Sequence, residues 1–387
     1  MTQPMTVLVA PDSFGDTLTA VAAADCIAEG WLAARSQDTV LLAPQSDGGP
    51  GFVDVLASRL GAVHTTRVPG PLGADVDARW LLHDDPDGAA SGLTTAYLEC
   101  AQCCGLHQLG GTPTPHTALA ADTTGLGELV VAALAAGARR LVVGLGGSST
   151  SDGGAGMITA LGGPDAARAL LADIEIVVAS DVENPLLGPL GAAAVFGPQK
   201  GADPVTVERI EDRMRQWAQV LTEMAGRDVG ELPGAGAAGG LGAALLALGG
   251  HRVAGATVVA QATGQSEVVA QADLVITGEG KFDSQTLRGK VVSALTSAAI
   301  GRGVPAIVFA GQVTLPAEEI ADAVSTAMEN LEDTELVGDQ ATRIADRAQR
   351  LSAAPPYPAD TPLGRLLSAV SAARSGLEIL VTGIPAA

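Results

Sequence analysis

Six stretches of this chain share one design: a run of β-branched and other apolar residues that stops at a glycine-rich or polar turn. They are 6-TVLVAPDS-13, 39-TVLLAPQSDGG-49, 140-RLVVGLGG-147, 174-IEIVVASD-181, 273-DLVITGEG-280 and 305-PAIVFAGQ-312. Continuous apolar runs of this kind suit strands covered on both faces, as in a parallel sheet. Alanine-rich segments with helical spacing lie between many of them, for example 17-TLTAVAAADCIAEGWLAA-34 and 128-ELVVAALAAGA-138. Strand, turn and helix in repeated order predict an α/β fold.

One region breaks the pattern. Segments 62-AVHTTRVPGPLGADVDARWLLHD-84 and 93-LTTAYLEC-100 alternate polar and apolar residues between turn signals, an antiparallel signature. The parallel pattern resumes at 273-DLVITGEG-280. A chain of 387 residues also exceeds what one core usually supports. The expected organisation is a discontinuous parallel-sheet domain, residues 1–62 plus 268–387, interrupted by a mixed α/β domain, residues 63–267. Residues 351–364, LSAAPPYPADTPLG, read as a proline-rich linker, followed by the short apolar run 378-EILVTG-383.

The net charge of −21 excludes a nucleic-acid surface, which needs a basic footprint. No apolar run reaches the roughly 18 residues of a membrane span, and the N-terminus has no basic leader, so the cytoplasm is the expected location. An anionic ligand would need a local positive site inside this repulsive field. The three lysines, Lys200, Lys281 and Lys290, all sit beside glycine, which favours phosphate or carboxylate contacts over a solvated face. Of the four cysteines, 100-CAQCC-104 lacks the second pair or histidines of a zinc site and reads as buried side chains at a strand-to-helix junction.

In open α/β sheets, ligands bind beyond the carboxyl ends of the strands. The informative residues cluster at such ends. The stretch 144-GLGGSSTSDGGAGM-157 combines glycines that aim amides at one point with several hydroxyls. A tight turn needs one or two capping residues, so this density favours a phosphate cradle: Gly146, Gly147, Ser148, Ser149, Thr150, Asp152, Gly153 and Gly154. The pattern G-x-x-x-x-G-K-[ST] is absent, and G-x-G-x-x-G is only approximated by 144-GLGGSS-149, which keeps an NAD-linked oxidoreductase as an alternative. Carboxylates around an anion imply a divalent metal, and Asp181 and Glu279 are the expected Mg²⁺ ligands. Lys200 and Lys281 would neutralise phosphate or a substrate carboxylate, and Asp47 or Asp283 would accept a hydroxyl proton. Asp12, Ser13, Gly48, Gly49, Gln285 and Thr286 complete the expected substrate site. For Asp12 and Asp181, an ordinary turn or cap aspartate remains the alternative.

Seven ordered segments, 9-VAPDSF-14, 47-DGG-49, 144-GLGGSSTSDGGAGM-157, 181-DVENPL-186, 196-FGPQKGA-202, 235-AGAAGGLGAAL-245 and 276-ITGEGKFDSQTLRGK-290, resemble the type 1 glycerate kinase family. The resemblance implies ATP- and Mg²⁺-dependent phosphorylation of D-glycerate to 2-phosphoglycerate. It also implies two α/β domains, one flavodoxin-like and discontinuous, the other inserted and restriction-endonuclease-like. Small-molecule substrate and nucleotide are the expected partners, with a homodimer left open. The chain departs from the family's usual pattern at Gly15 and Asp16, where a lysine follows the phenylalanine, at Pro50, where a glutamate follows the double glycine, and at Lys281, often arginine. Those departures motivate a second reading, a catalytically silent nucleotide- or metabolite-binding paralogue.

Overall fold

The computed structural model describes residues 4–15, 17–84, 93–282, 291–304, 306–312, 314 and 378–382. Asp283, Gln285, Thr286, Lys290 and the 351–364 segment lie outside them. The chain divides into two compact units, one of Met1–Ser46 with Val259–Ala387, the other of Asp47–Val258.

The first unit holds a five-stranded sheet. Its strands are β1 (Thr6–Val9), β2 (Thr39–Leu42), β9 (Leu274–Glu279), β10 (Ala306–Ala310) and β11 (Glu378–Thr382), in the order β11-β10-β9-β1-β2. All pairings are parallel except β10 with β11. The apolar runs are continuous because both faces are covered. Leu8, Val275 and Ala306 pack on one side with Leu295 and Ala299, while Val7, Val9, Ile276 and Phe309 pack on the other with Trp31. The helix Ala20–Ala34 starts at Thr19, whose side chain accepts from the Ala22 N–H.

The second unit holds a six-stranded mixed sheet in the order β3-β4-β5-β6-β7-β8. Strands β3 (Val63–Pro69), β4 (Asp75–His83) and β5 (Thr95–Glu99) run antiparallel, where the sequence alternates. Strands β6 (Arg140–Gly144), β7 (Glu175–Ala179) and β8 (His251–Val253) continue in parallel from β5. The helix Phe52–Leu60 belongs to this unit. Buried Glu99, ending β5, accepts from the Gly51 and Val53 N–H groups at the start of that helix (3.2 and 3.1 Å). One core joins Leu98, Leu126, Leu141, Val143, Met157 and Leu241. Cys100, Cys103 and Cys104 are buried free thiols at the junction of β5 with the short helix Ala101–Cys104, as expected from their place after 95-TAYLE-99. No helix among the described residues is long and apolar enough to cross a membrane.

Candidate active site

In the second unit, three segments meet at the carboxyl ends of β6 and β7. The turn Asp47–Gly49 packs directly on them. Gly48 has φ +90°, and a Cβ there would stand 2.7 Å from the Ala179 carbonyl oxygen. The Gly146 N–H donates to the Gly48 carbonyl (3.0 Å), and the Leu145 N–H to the Ala179 carbonyl (3.2 Å). Asp47 Oδ1 accepts from the Gly49 N–H (3.0 Å), and Asp181 Oδ1 from the Gly255 N–H (2.9 Å). The structure therefore brings Asp47, Gly48, Gly49, Gly146, Gly147 and Asp181 to one edge.

The rest of the glycine loop is arranged differently from the expected cradle of outward hydroxyls. Ser148 to Gly154 are all buried. Ser149 Oγ donates to the Cys104 carbonyl (2.9 Å). The Asp152 carboxylate braces the loop instead of facing outward. It accepts from Thr123 N (3.0 Å), Thr123 Oγ1 (2.8 Å), Gly156 N (2.9 Å) and Gly154 N (3.2 Å). It thereby ties the loop to the starts of the helices Thr124–Ala135 and Ala155–Ala160. What the loop retains is backbone: the N–H groups of Gly147, Ser148, Thr150, Ser151 and Asp152 meet no protein acceptor among the described residues.

Lys200 lies beneath this loop, only 2% exposed. Its Nζ donates to Ser148 Oγ (2.9 Å) and to the Thr150 carbonyl (2.7 Å). It forms no ion pair among the described residues. Burial pushes its pKa down to about 8, opposed by the nearby Cys100, Asp152 and Cys104. The hydrogen bond with Cys104 and then burial push the Cys100 thiol well up. An ammonium held in low dielectric with no carboxylate in direct contact among the described residues favours an anion on the far side of the loop. Two hydroxyl oxygens along the same loop, Thr150 Oγ1 and Ser151 Oγ, are buried without a partner. Free amides, orphaned hydroxyls and an unpaired buried cation fit the phosphates of a nucleotide.

In the first unit, a hollow of about 320 Å³ opens at the carboxyl ends of β1, β9 and β10. Asp12, Ser13, Gly15, Glu279, Lys281 and Gln312 line it. The Asp12 N–H donates to the Gly278 carbonyl (2.7 Å) and the Gly280 N–H to the Ser13 carbonyl (3.2 Å), so the loops after β1 and β9 hold each other. Four sequence-predicted residues, Asp12, Ser13, Glu279 and Lys281, thus share one cavity. Among the described residues no group of three or more His, Cys, Asp or Glu side chains could hold a metal. Asp12 and Glu279 are the two carboxylates that line this hollow. Asp181 Oδ1 accepts from the first amide of the helix Gly255–Ala262.

Three residues that position the loop escaped the sequence reading: Thr123, Arg213 and Trp217. Arg213 donates to the Leu119 and Ser151 carbonyls (2.9 and 2.6 Å), and the Trp217 indole N–H to the Gly153 carbonyl (2.9 Å). For Arg213 and Trp217 the signal is spacing: residues 213, 217 and 220 share one face of a helix, and a tryptophan there contrasts with its otherwise charged surface.

The Glycerate kinase family model matches residues 7–168 and 164–354. An uncharacterized protein of Mycobacterium bovis is 54% identical over 347 residues, covering 90% of this chain and 89% of its own. The glycerate kinase of Bacillus subtilis is 38% identical over 336 residues and the glycerate 2-kinase of Escherichia coli 36% over 336, each covering 80% of this chain and 86% of its own. A crystal structure from Salmonella typhimurium, assigned as a glycerate kinase 2, matches with a TM-score of 0.68 and 32% identity, covering 91% of this chain and 99% of its own.

Proposed function

We propose, from the premise that this chain belongs to the glycerate kinase family, that it transfers the γ-phosphoryl group of ATP to D-glycerate, giving 2-phosphoglycerate. The chain is a small-molecule kinase. The observation that carries the reading is the hollow where Asp12, Glu279 and Lys281 meet at three strand ends. Carboxylates beside an ammonium suit a site where a divalent ion and a phosphate are bound together.

Each residue then has a role. Asp12 and Glu279 would hold Mg²⁺, which supplies neutralisation of the phosphate oxygens. Lys281 acts as a point charge toward phosphate or the glycerate carboxylate. The amides from Gly147 to Asp152 receive phosphate oxygens, and Lys200 adds its charge from beneath through Ser148 and Thr150. Asp47, oriented by the Gly49 N–H, accepts the proton of the attacking hydroxyl as ADP leaves. Ser13 in the first unit, and Gly48 and Gly49 in the second, are each candidates for contact with the acceptor. The same reading takes the first unit as flavodoxin-like and the second as restriction-endonuclease-like.

Steady-state ADP release with D-glycerate and a panel of hydroxy acids tests the reading. Release that depends on D-glycerate and on Mg²⁺ is expected. If no acceptor stimulates release while ATP still binds, the silent-paralogue reading replaces it.

A further inference from the structure

A second hollow, of about 550 Å³, lies in the second unit against the far end of the glycine loop. Asp152, Ala155 and Gly156 of the loop form one wall, and the helix Pro204–Ala225 forms the facing wall with Arg213, Gln216 and Trp217. A volume of this size suits a nucleoside.

Its chemistry is amphoteric. Trp217 is half-buried, and its ring is fixed by the indole hydrogen bond to Gly153 and by direct packing on that residue, where a Cβ would lie 2.5 Å from the ring. A rigid aromatic face set by the phosphate loop itself is a stacking platform. One turn earlier, Arg213 has two of its nitrogens committed to backbone carbonyls, while its Nε is buried with no acceptor. Gln216, Thr159 and Asp122 add donors and acceptors at the rim. Two carboxylates, Asp122 and Asp152, line the same space, and both are already bonded to helix-start amides. They repel a polyanion, so the hollow suits an uncharged planar group.

We propose that this hollow binds the nucleoside end of ATP, with the purine stacked on Trp217 and the phosphates running back along the Gly147–Asp152 amides. The assignment rests on the kinase reading for its nucleotide, but adenosine alone should occupy the site.

Intrinsic fluorescence tests this directly. Trp31 and Trp80 are 4% and 2% exposed, so a ligand-dependent change reports on Trp217. ATP and adenosine should each quench emission saturably and adenosine should compete with ATP, whereas inorganic tripolyphosphate should compete with ATP for the loop amides without quenching. Trp217→Leu should abolish the quench and raise KM for ATP about tenfold with kcat within about twofold, as expected for one lost base stack. Trp217→Phe should keep most of the affinity, which separates a lost platform from a misfolded protein. If adenosine neither quenches nor competes in the full-length protein, or if Trp217→Leu leaves the KM for ATP unchanged, the assignment is wrong. Adenosine binding without turnover of any acceptor would leave this site standing and overturn the kinase reading.

Discussion

The ammonium of Lys200 touches Ser148 Oγ at 2.9 Å from inside the protein, under the loop that the kinase reading assigns to phosphate. The positive charge and the loop conformation are therefore one device. Such a charge acts on an anion without exposing a flexible side chain, and it is screened little by salt.

Replacing it should separate binding from stability. Lys200→Met keeps the volume and removes the buried charge, a change that is often neutral or stabilising to the fold. The variant should remain folded and cooperative in thermal melts. Its KM for ATP should rise on the order of tenfold or more, since a charge-assisted contribution of about 1.5–3 kcal/mol is lost.

The same residue sets a pH dependence. Its folded pKa of about 8 lies below the ordinary 10.5, so the unfolded chain binds the proton more tightly. The burial penalty is complete below about pH 8 and relieved as pH rises toward 10.5. The melting temperature of Lys200→Met relative to the parent should therefore be higher at pH 7 than at pH 9.5. An unchanged difference between the two pH values would mean the ammonium is not buried as described.

Asp152 is a brace, and its loss should show as stability. Asp152→Asn leaves at least one of the donors Thr123 N, Thr123 Oγ1, Gly154 N and Gly156 N facing an amide NH₂. A loss of about 2–3 kcal/mol is expected, read by urea denaturation. Thr123→Val should cost about 1–3 kcal/mol: the backbone donor of residue 123 survives, but the buried Met157 N–H loses its acceptor, Thr123 Oγ1 (2.9 Å).

Much of this was legible beforehand. The parallel strands announce themselves as continuous apolar runs, and β3 to β5 as alternation, because burial on two faces or one writes that difference into the residues. Strand β8 has three residues, too few for any period to register. The convergence of 47-DGG-49 on the glycine loop was expected from strand ends, since glycines at 48 and 146 permit the close approach. The orientation of Ser148, Ser149 and Asp152 was not legible, since a hydroxyl or carboxylate in a loop reads alike whether it faces ligand or backbone. Nor was the burial of Lys200 legible: a lysine beside a glycine looks exposed until Gly201, at φ +92°, turns against Pro113 and Thr114.

Close packing at Gly146 makes a sharp test of the strand-end site. A Cβ there would stand 2.4 Å from Gly49 Cα. Gly146→Ala must push the Asp47–Gly49 turn away, and kcat/KM should fall by about 100-fold or more. Gly137→Ala is the control: its φ of +102° costs roughly 1–2 kcal/mol, but nothing lies within 4 Å of the added atom, so turnover should persist.

The metal assignment predicts a shift in Mg²⁺ demand. Asp12→Asn and Glu279→Gln each remove one of the carboxylates lining the β1–β9–β10 hollow. The Mg²⁺ concentration for half-maximal turnover should rise about tenfold or more in each, as for loss of one strong ligand. Asp181→Asn should move it far less, because that side chain already accepts from the first amide of a helix.

The central claim is phosphoryl transfer to glycerate, and phosphorus NMR of the protein with ATP, Mg²⁺ and D-glycerate tests it most directly. A phosphomonoester resonance coupled to the C2 proton of glycerate should grow in step with ADP. ATP signals that persist unchanged, or that yield only inorganic phosphate, would contradict it.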